Sequence, residues 1–239
     1  MDEASSRAIT GFATWAATYD ETVAAEVERY LGMPYHEVLR RVIEAAGVGP
    51  DAWVLDVGTG TGALALAIAS QLSAGRLVGI DPTPEMLRRA QANAARAGLA
   101  GRIEWERARA EALPFCDASF DVVVSCIALH HTRVRDSVRE MARVLKPGGC
   151  LAIADSGRNV KWETTLGGLV RPVLALYYLV STRSLKMMRA ELEAYGQLFL
   201  RHEWEAMLRE AGFRQVSVEE FPHPTSQWYS SLLVVRACK

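Results

Sequence analysis

Val54-Leu55-Asp56-Val57-Gly58-Thr59-Gly60-Thr61-Gly62 is the stretch that decides the fold, and an Ala- and Leu-rich run at residues 63–72 follows it directly. The short, mainly apolar start of this stretch is typical of a buried parallel strand, and the alternating glycines then predict a turn that leads into a helix. Because glycine has no Cβ, its backbone can adopt positive φ and lie close to a ligand. The start of the following helix offers unpaired N–H groups to an anionic group. The pattern therefore predicts the strand, turn and helix of a nucleotide-binding crevice.

Length and charge limit the class of protein. A chain of 239 residues with 50% apolar content can bury the core of one α/β domain. Its formal net charge of −1 gives no strong field for drawing in nucleic acid or an anionic membrane surface, although a local patch can be hidden in that average. We expect no nucleic acid partner. The longest apolar stretch, residues 166–180, is interrupted by Arg171-Pro172 and is too short to span a bilayer, so we expect a soluble chain with no transmembrane segment.

The cysteines predict no special chemistry. Cys116, Cys126, Cys150 and Cys238 are widely separated and form no C-x-x-C or Cys/His ligand spacing. In a chain of this size, such a pattern favours small buried side chains over a disulfide framework or a zinc site. The N-terminal residues 1–7 lack the pattern of a secretory signal. We therefore expect no metal, and a reducing, cytoplasmic location.

Strands and helices alternate after the glycine-rich turn. We predict strands at residues 77–80, 103–107, 120–126 and 150–154, with helices at 84–97 and 135–144. This alternation indicates right-handed βαβ units and a doubly wound, seven-stranded, mostly parallel sheet in an α/β fold. A helix at 202–211 and strands at 215–220 and 229–236 close the chain, and the short link between these strands predicts an antiparallel pair at the sheet edge.

The other segments divide one domain into four parts. Helical spacing at Ile9, Phe12, Ala13, Ala16 and Tyr19, and again at Val38, Leu39, Val42, Ile43 and Ala46, predicts an N-terminal helical cap at residues 1–50. We expect Trp15, Tyr19, Tyr30 and Tyr35 to pack these helices, with pocket lining as the alternative. Residues 51–155 form the binding core, 156–200 a helical lid inserted after the fifth strand, and 201–239 the terminal helix and β-hairpin. The alternative for the insertion is ordinary core or a dimer face.

Candidate functional residues fall at the carboxyl ends of the predicted strands, where parallel sheets bind ligands. Asp81 follows Asp56 by 25 residues, near the roughly 20 expected between a glycine-rich fingerprint and a ribose-binding carboxylate. The alternative role for Asp81 is to cap the next helix. His130, His131 and Asp155 also lie at strand ends, where a His or Asp can act as a general base, or can simply cap or pack.

Five ordered motifs between residues 53 and 155 together resemble the class I S-adenosylmethionine-dependent methyltransferases. The chain is most similar to their small-molecule branch related to the ubiquinone and menaquinone biosynthesis enzymes. The motifs are the glycine-rich stretch quoted above, Gly79-Ile80-Asp81, Ala110-Glu111-Ala112-Leu113-Pro114-Phe115, Ser119-Phe120-Asp121-Val122-Val123, and Leu129-His130-His131 with Arg143-Val144-Leu145-Lys146-Pro147-Gly148-Gly149.

The resemblance implies S-adenosylmethionine as cofactor and assigns the residues that contact it. Those cofactor-binding residues are Asp56, Gly58, Thr59, Gly60, Asp81, Pro82, Arg109, Ala110 and Glu111. Asp56 and the glycines would hold the methionine part, Asp81 the ribose, and the turn at residues 109–111 the adenine. The family commonly has Asp where Arg109 stands, and that carboxylate accepts a hydrogen bond from the adenine amine. Arg has no acceptor, so Arg109 cannot replace this hydrogen bond.

The resemblance also implies the reaction, which is methyl transfer by in-line displacement to a small, apolar or aromatic acceptor. His130 and His131 are the candidate catalytic residues, should the acceptor need a base. Two alternatives stay open: a non-catalytic module that binds S-adenosylmethionine, and a nicotinamide-dependent oxidoreductase, whose G-x-G-x-x-G spacing this loop lacks. We expect a small-molecule partner and a possible homodimer.

Overall fold

Seven strands form a single sheet in the computed structural model, which describes residues 12–13, 19–163, 170–182 and 185–239. The strands are β1 (Trp53–Val57), β2 (Arg76–Ile80), β3 (Ile103–Glu106), β4 (Phe120–Cys126), β5 (Leu145–Ser156), β6 (Gln215–Phe221) and β7 (Leu232–Cys238). Their order in the sheet is β3-β2-β1-β4-β5-β7-β6. Only β7 is reversed, because it pairs antiparallel with both β5 and β6. The doubly wound, mostly parallel seven-stranded sheet is confirmed.

Helices cover both faces of the sheet. They are α1 (Tyr19–Leu31), α2 (Tyr35–Ala46), α3 (Ala63–Ala69), α4 (Pro84–Arg96), α5 (Val134–Val144), α6 (Val170–Thr182), α7 (Leu185–Ala194) and α8 (Arg201–Glu210). A short 3-10 turn at Leu129–His131 follows β4. The helical insertion after the fifth strand is confirmed, since α6 and α7 lie between β5 and α8. Helix α7 also contacts the 3-10 turn, which places the insertion beside the strand ends.

Two buried clusters explain why the central strands are mainly apolar on both faces. Alternate residues of a strand point to opposite faces. Thus Val123 of β4 packs on one face with Trp204 of α8, while Val124 packs on the other with Val42 of α2 and Ile68 of α3. A strand covered on both sides has no polar face to show in its sequence.

The strand order reverses between β1 and β4, which lie side by side although two strands separate them in the chain. At such a switch point, the loops after the two strands leave in opposite directions and open a crevice. The glycine-rich turn after β1 and the segment at residues 127–132 after β4 border this crevice. The fold therefore positions a site at the carboxyl ends of β1, β2 and β4.

Several predicted boundaries differ from the structure. Helix α3 ends at Ala69 rather than 72, and β5 begins at Leu145 because α5 passes directly into it without a separate turn. Strand β7 lies between β5 and β6, so β6 alone is the edge strand of the predicted pair. Helix α1 was not predicted. The expectations for Ile9, Trp15 and Ala16 lie outside the described residues.

The expectation that all four cysteines are small, unpaired buried side chains is wrong for three of them. Cys150 and Cys238 form a disulfide, with a sequence separation of 88 and a distance of 4.2 Å between their Cα atoms. The reason is strand register, because β7 runs antiparallel to β5 and sets these two residues directly opposite each other. Cys126 is buried as expected, whereas Cys116 is exposed. The cysteines therefore give no support to a reducing compartment.

The disulfide is expected to stabilise the fold, because it closes a long loop and so restricts the unfolded chain. Replacing both residues, Cys150→Ser with Cys238→Ser, should lower the free energy of unfolding by about 2–4 kcal/mol. Urea denaturation of the oxidised protein measures this difference. Cys116→Ser is the control, since that thiol is exposed and unpaired with another cysteine. An unchanged unfolding free energy in the double variant would contradict the prediction.

Candidate functional site

The glycine-rich turn has the backbone geometry that its sequence predicts. Gly58, Gly60 and Gly62 have φ values of 71°, 54° and 88°, in the left-handed region that favours glycine. A Cβ on Gly58 would lie 2.5 Å from the Cβ of Ala128, so a side chain there would collide with the segment after β4. The turn can therefore stay open only with glycine at these positions.

The turn borders a cavity that is open to solvent and encloses about 760 Å³, with the space at its mouth included. Loops after β1, β2, β3 and β4 line it, together with residues from the N-terminal part of the chain. The lining residues are Phe12, Tyr19, Val57, Gly58, Gly60, Asp81, Pro82, Thr83, Met86, Ala108, Arg109, Ala110, Glu111, Ile127, Ala128, Leu129, His131 and Thr132. Most of these side chains are apolar.

A second, smaller cavity of about 300 Å³ borders the same turn. Asp56 and Thr59 line it rather than the larger cavity, and Tyr35 and Cys126 lie beside them. Gly58 and Gly60 contribute to both cavities. Of the nine predicted cofactor-binding residues, seven therefore line the larger cavity, and Asp56 and Thr59 line the smaller one.

Asp81 is buried at the end of β2 and joins two loops. Its Oδ2 accepts a hydrogen bond from the backbone N–H of Gly60 at 3.1 Å, and its Oδ1 accepts one from Thr83 at 2.8 Å. Thr83 and not Asp81 is the N-cap residue of α4, so Asp81 holds the residue at the cap without capping the helix itself. Its position at the cavity wall fits the predicted ribose-binding role. Burial raises the pKa of Asp81 to about 6, although both N–H groups act in the opposite direction.

Asp56 is buried one strand away, at the end of β1. Burial raises its pKa to about 7, and the nearby charge of Asp81 acts in the same direction. The Thr59 hydroxyl donates to Asp56 at 2.6 Å and partly offsets this effect. Two carboxyl groups thus lie at neighbouring strand ends, where each is costly to ionise without a partner.

Helix α1 begins at the glycine-rich turn and fixes it from outside the sheet. The Asp20 carboxylate accepts hydrogen bonds from the Thr61 hydroxyl and from the Asn93 side chain of α4. Tyr19, the residue before Asp20, lines both cavities, and Tyr35 lines the smaller one. The expectation that these two tyrosines only pack helices is therefore wrong, because α1 and α2 run past the strand ends. Tyr30 does pack, with its ring 5.8 Å from that of Tyr177.

Arg109 lines the larger cavity and is held by Glu111, two residues further along the chain. Its Nε lies 3.5 Å from Oε2 of Glu111, whose other oxygen accepts from the backbone N–H of Arg133 at 3.1 Å. The Arg109 Nη1 atom is buried and has no hydrogen-bond partner among the described residues. The guanidinium therefore has donor capacity left at the wall of the cavity.

The two histidines of the 3-10 turn have different surroundings. Asp155 accepts from His130 through both its backbone N–H, at 3.1 Å, and its ring Nδ1, at 2.5 Å. His130 lines neither cavity. His131 lines the larger one, with its ring 4.8 Å from Phe12 and 4.1 Å from His130. Burial lowers the pKa of His131 well below its usual range, and the neighbouring His130 acts in the same direction.

Sequence reasoning missed cavity residues whose signal is conformational or long-range. Ile127 has a positive φ of 50°, which is rare for a β-branched residue, and it lines the larger cavity just after β4. Strained backbone of this kind clusters at functional sites. Phe12, Met86 and Leu129 also line the cavity, and their apolar side chains were indistinguishable in sequence from core residues.

Comparison with known proteins finds a methyltransferase domain in the central part of the chain. The profile of the methyltransferase domain family matches residues 54–149. The uncharacterized methyltransferase YcgJ of Bacillus subtilis is 37% identical over 148 residues, which cover 61% of this chain and 54% of YcgJ. The ubiquinone/menaquinone biosynthesis C-methyltransferase UbiE of Ectopseudomonas mendocina is 39% identical over 123 residues, covering 50% of this chain and 48% of UbiE. The chain spans about half the length of the curated relatives it matches.

Solved structures agree with this assignment at the level of the fold. The crystal structure of YcgJ has a TM-score of 0.65 at 24% identity and covers 85% of this chain and 98% of YcgJ. The [4+2]-cyclase SpnF has a TM-score of 0.64 at 21% identity and covers 85% of this chain and 80% of SpnF. The sheet order and the strand-end crevice define the Rossmann-like methyltransferase fold. Within it, residues 54–149 match the methyltransferase domain family, in agreement with the class I S-adenosylmethionine-dependent methyltransferases that the motifs resemble.

The two buried carboxyl groups predict an unusual dependence of stability on pH. Their folded-state pKa values of about 6 and about 7 lie above the ordinary value of 3.8. The stability that such groups contribute is present below the ordinary pKa and is lost as pH rises through the folded one. Asp81→Asn removes one of these two groups, so the variant lacks the loss of stability that wild type suffers when Asp81 ionises. The unfolding free energy of the variant minus that of wild type should therefore rise by about 1–3 kcal/mol from acidic to neutral pH.

Urea denaturation of both proteins at several pH values measures this change. The control is Asp51→Asn, because Asp51 is exposed and its replacement should leave the pH profile unchanged. A difference between Asp81→Asn and wild type that is the same at every pH would contradict the assignment of a raised pKa to Asp81.

Proposed function

We propose that this chain binds S-adenosylmethionine in the larger cavity and transfers its methyl group to a small apolar or aromatic acceptor. One observation carries the proposal: Asp81 and the glycine-rich turn line the same cavity, in a chain whose family uses this cofactor. The cavity also lies at the carboxyl ends of the strands, where sheets of this kind bind their ligands.

The residues of the cavity fit the parts of the cofactor. Asp81 would accept hydrogen bonds from the ribose hydroxyls, since a carboxylate oxygen has lone pairs beyond the one used by a backbone N–H. Gly58 and Gly60 allow the methionine part to lie against the backbone, and Asp56 shapes the turn through Thr59. The turn at Arg109 would face the adenine, with its guanidinium donating to a ring nitrogen in place of the usual carboxylate contact.

The bound cofactor supplies an electrophilic methyl group on a sulfonium, and transfer occurs by in-line displacement. The protein has to align the acceptor with this group and exclude water. Tyr19 and Phe12 cover the cavity from the N-terminal side, and α7 contacts the 3-10 turn on the other side. These elements together would close the reacting atoms from solvent.

His131 is the proposed general base for an acceptor that must lose a proton. Its lowered pKa keeps the ring neutral near pH 7, so that it can accept a proton, and it lines the cavity directly. His130 has a positioning role, because Asp155 holds its ring and backbone and thereby fixes the 3-10 turn that carries His131.

The lining also favours an apolar or aromatic acceptor. Met86, Ile127 and Leu129 offer no hydrogen bonds to a ligand, and Phe12 and Tyr19 offer ring faces. A polar acceptor would lose its hydration against these residues without recovering it. The wall therefore selects for ligands with a large apolar part.

Cofactor binding is tested by calorimetry with Gly60→Val, which should abolish binding because the new side chain would enter the cavity. The matched control is Gly101→Val. Gly101 also has a positive φ, of 77°, but nothing lies within 4 Å of its Cβ position. Both variants should lose about 1–2 kcal/mol of stability from backbone strain, and only Gly60→Val should lose the cofactor. Equal cofactor affinity in the two variants would contradict the assignment of the turn.

Assays of the wild-type protein with each cofactor separate the alternative functions. A thermal shift with NAD and none with S-adenosylmethionine would favour the nicotinamide-dependent oxidoreductase. Binding of S-adenosylmethionine without turnover in a screen of phenols, quinones, amines and fatty acids would favour the non-catalytic module. Release of S-adenosylhomocysteine with one of these acceptors would support methyl transfer.

The roles of the histidines are tested once an acceptor is found. His131→Ala should lower kcat by about 100-fold or more and leave cofactor affinity nearly unchanged, because a general base contributes about 10²–10⁴-fold. His130→Ala should have a smaller effect. In wild type, kcat should stay flat from neutral to mildly acidic pH, since His131 remains unprotonated there. Undiminished kcat in His131→Ala would place the base elsewhere.

A further inference from the structure

Helix α6 of the insertion presents an apolar face to solvent. Val173, Leu176 and Val180 are 65%, 63% and 66% exposed and share one face of the helix. Leu179 adjoins them, and Leu185 at the start of α7 is 59% exposed. We call these five residues the α6 surface. A surface helix in a globular protein normally buries such a face, so this one is unpartnered in the described part of the chain.

Trp228 and Tyr229, which lie between β6 and β7, extend the apolar region. Beside this face, Tyr177 of α6 packs on Tyr30, which in turn contacts Tyr229 at 5.7 Å. Trp228 and Tyr229 are 40% and 38% exposed. Among the residues that the structure describes, all the large exposed apolar side chains except Trp53 lie at residues 160–185 or in the loop between β6 and β7. Concentration of this kind marks an interaction site.

The same part of the chain is basic, although the whole chain carries a formal charge of −1. Between residues 156 and 200 the sequence contains six basic residues and three acidic ones: Arg158, Lys161, Arg171, Arg183, Lys186 and Arg189 against Glu163, Glu191 and Glu193. Arg189 is exposed, Arg29 is exposed beside Tyr177, and the Lys161 ammonium lies 5.9 Å from the ring of Trp228. An apolar face with cations and aromatic rings around it complements a negatively charged apolar partner.

We propose that the α6 surface docks on an anionic lipid bilayer, with α6 lying in the headgroup region. Interfacial helices combine an apolar face with Lys, Arg and Trp side chains in this way. The geometry excludes spanning, because no helix in the described part of the chain is long and apolar enough to cross a membrane. Helix α6 has 13 residues, or about 20 Å of rise, against a hydrocarbon core of about 30 Å.

Charge decides between a bilayer and a second copy of the chain. A symmetric dimer through the α6 surface would bring the same basic region of both copies together, because a two-fold interface pairs a patch with itself. Like charges would then repel at close range. An anionic bilayer instead attracts each of these residues, by about 1 kcal/mol for each Lys or Arg near the surface.

Docking in this orientation would also serve methyl transfer, and this consequence rests on the proposed function. Helix α6 packs on α7, and α7 contacts the turn that carries His131. The entrance on this side of the cavity would then face the bilayer. The acceptor class that follows is an apolar molecule dissolved in the membrane, which reaches the cavity without crossing water.

The test is co-sedimentation of the full chain with vesicles in the absence of cofactor. One set of vesicles contains equal parts of phosphatidylcholine and phosphatidylglycerol, and the other contains phosphatidylcholine alone. Wild type should bind the anionic vesicles, and Leu176→Asp with Val180→Asp should weaken this binding at least about tenfold. The matched control is Ala92→Asp with Ala95→Asp, which adds the same charge to an exposed face of α4 and should retain binding.

Three results would overturn docking: no binding of wild type to anionic vesicles, equal loss in the control variant, or a dimer in sedimentation velocity that only the α6 variant dissociates. The last result would assign the surface to a second copy. Calorimetry with S-adenosylmethionine on the same proteins keeps the two proposals apart, because residues 176 and 180 lie outside the cavity. Loss of vesicle binding with full cofactor affinity affects docking alone, and the reverse result affects the proposed function alone.

Discussion

The Asp81 carboxylate joins the ends of two neighbouring strands, and the site depends on this link. One oxygen accepts from Gly60 in the turn after β1, and the other accepts from Thr83 at the start of α4. The contact is possible because β1 and β2 pair in parallel with Val57 opposite Ile80, so that both strands end at the same level. The backbone bond from Thr59 to Ile80, at 2.8 Å, reinforces the link. The sheet thereby converts a local glycine pattern into one wall of a cavity.

This arrangement stabilises the site at a cost to the fold. Asp56 and Asp81 are both buried near each other, and burial raises the pKa of each by disfavouring the charged form. Backbone N–H groups and the Thr59 hydroxyl satisfy some of their lone pairs but not all. Hydroxyl groups of a ligand would satisfy more of them. Burying these acids lowers the stability of the free protein, and a ligand that satisfies their lone pairs recovers part of this free energy as affinity. Proteins commonly preorganise a site in this way.

The sequence predicted those features that depend on short stretches of chain. Strand β4 was predicted at its observed bounds, because a short, mainly apolar run with three consecutive valines, Val122 to Val124, favours a buried strand in an α/β chain. The family was predicted for the same reason, since each motif is local. The disulfide was not, because it depends on β7 returning between β5 and β6 in one particular register. Tyr19 was not assigned to the cavity either, since its position depends on how α1 crosses the strand ends.

Four expectations stay predictions: the four-part division of the chain, the cytoplasmic location, the lack of a nucleic acid partner and the possible homodimer.

These differences divide the cavity into two halves with separate origins. The half formed by Gly58, Gly60 and Asp81 belongs to residues 54–149, where the chain matches the methyltransferase domain family. The other half is lined by Phe12 and Tyr19 before this range, and α7 beyond it contacts the 3-10 turn that carries His131. A cofactor that is common to a family requires the half formed by the glycine-rich turn and Asp81 to keep its geometry. Acceptors differ between enzymes, so the half lined by Phe12 and Tyr19 can vary. The identity of the acceptor is therefore encoded by segments whose contacts are long-range, and it follows from their packing around the strand ends rather than from any motif.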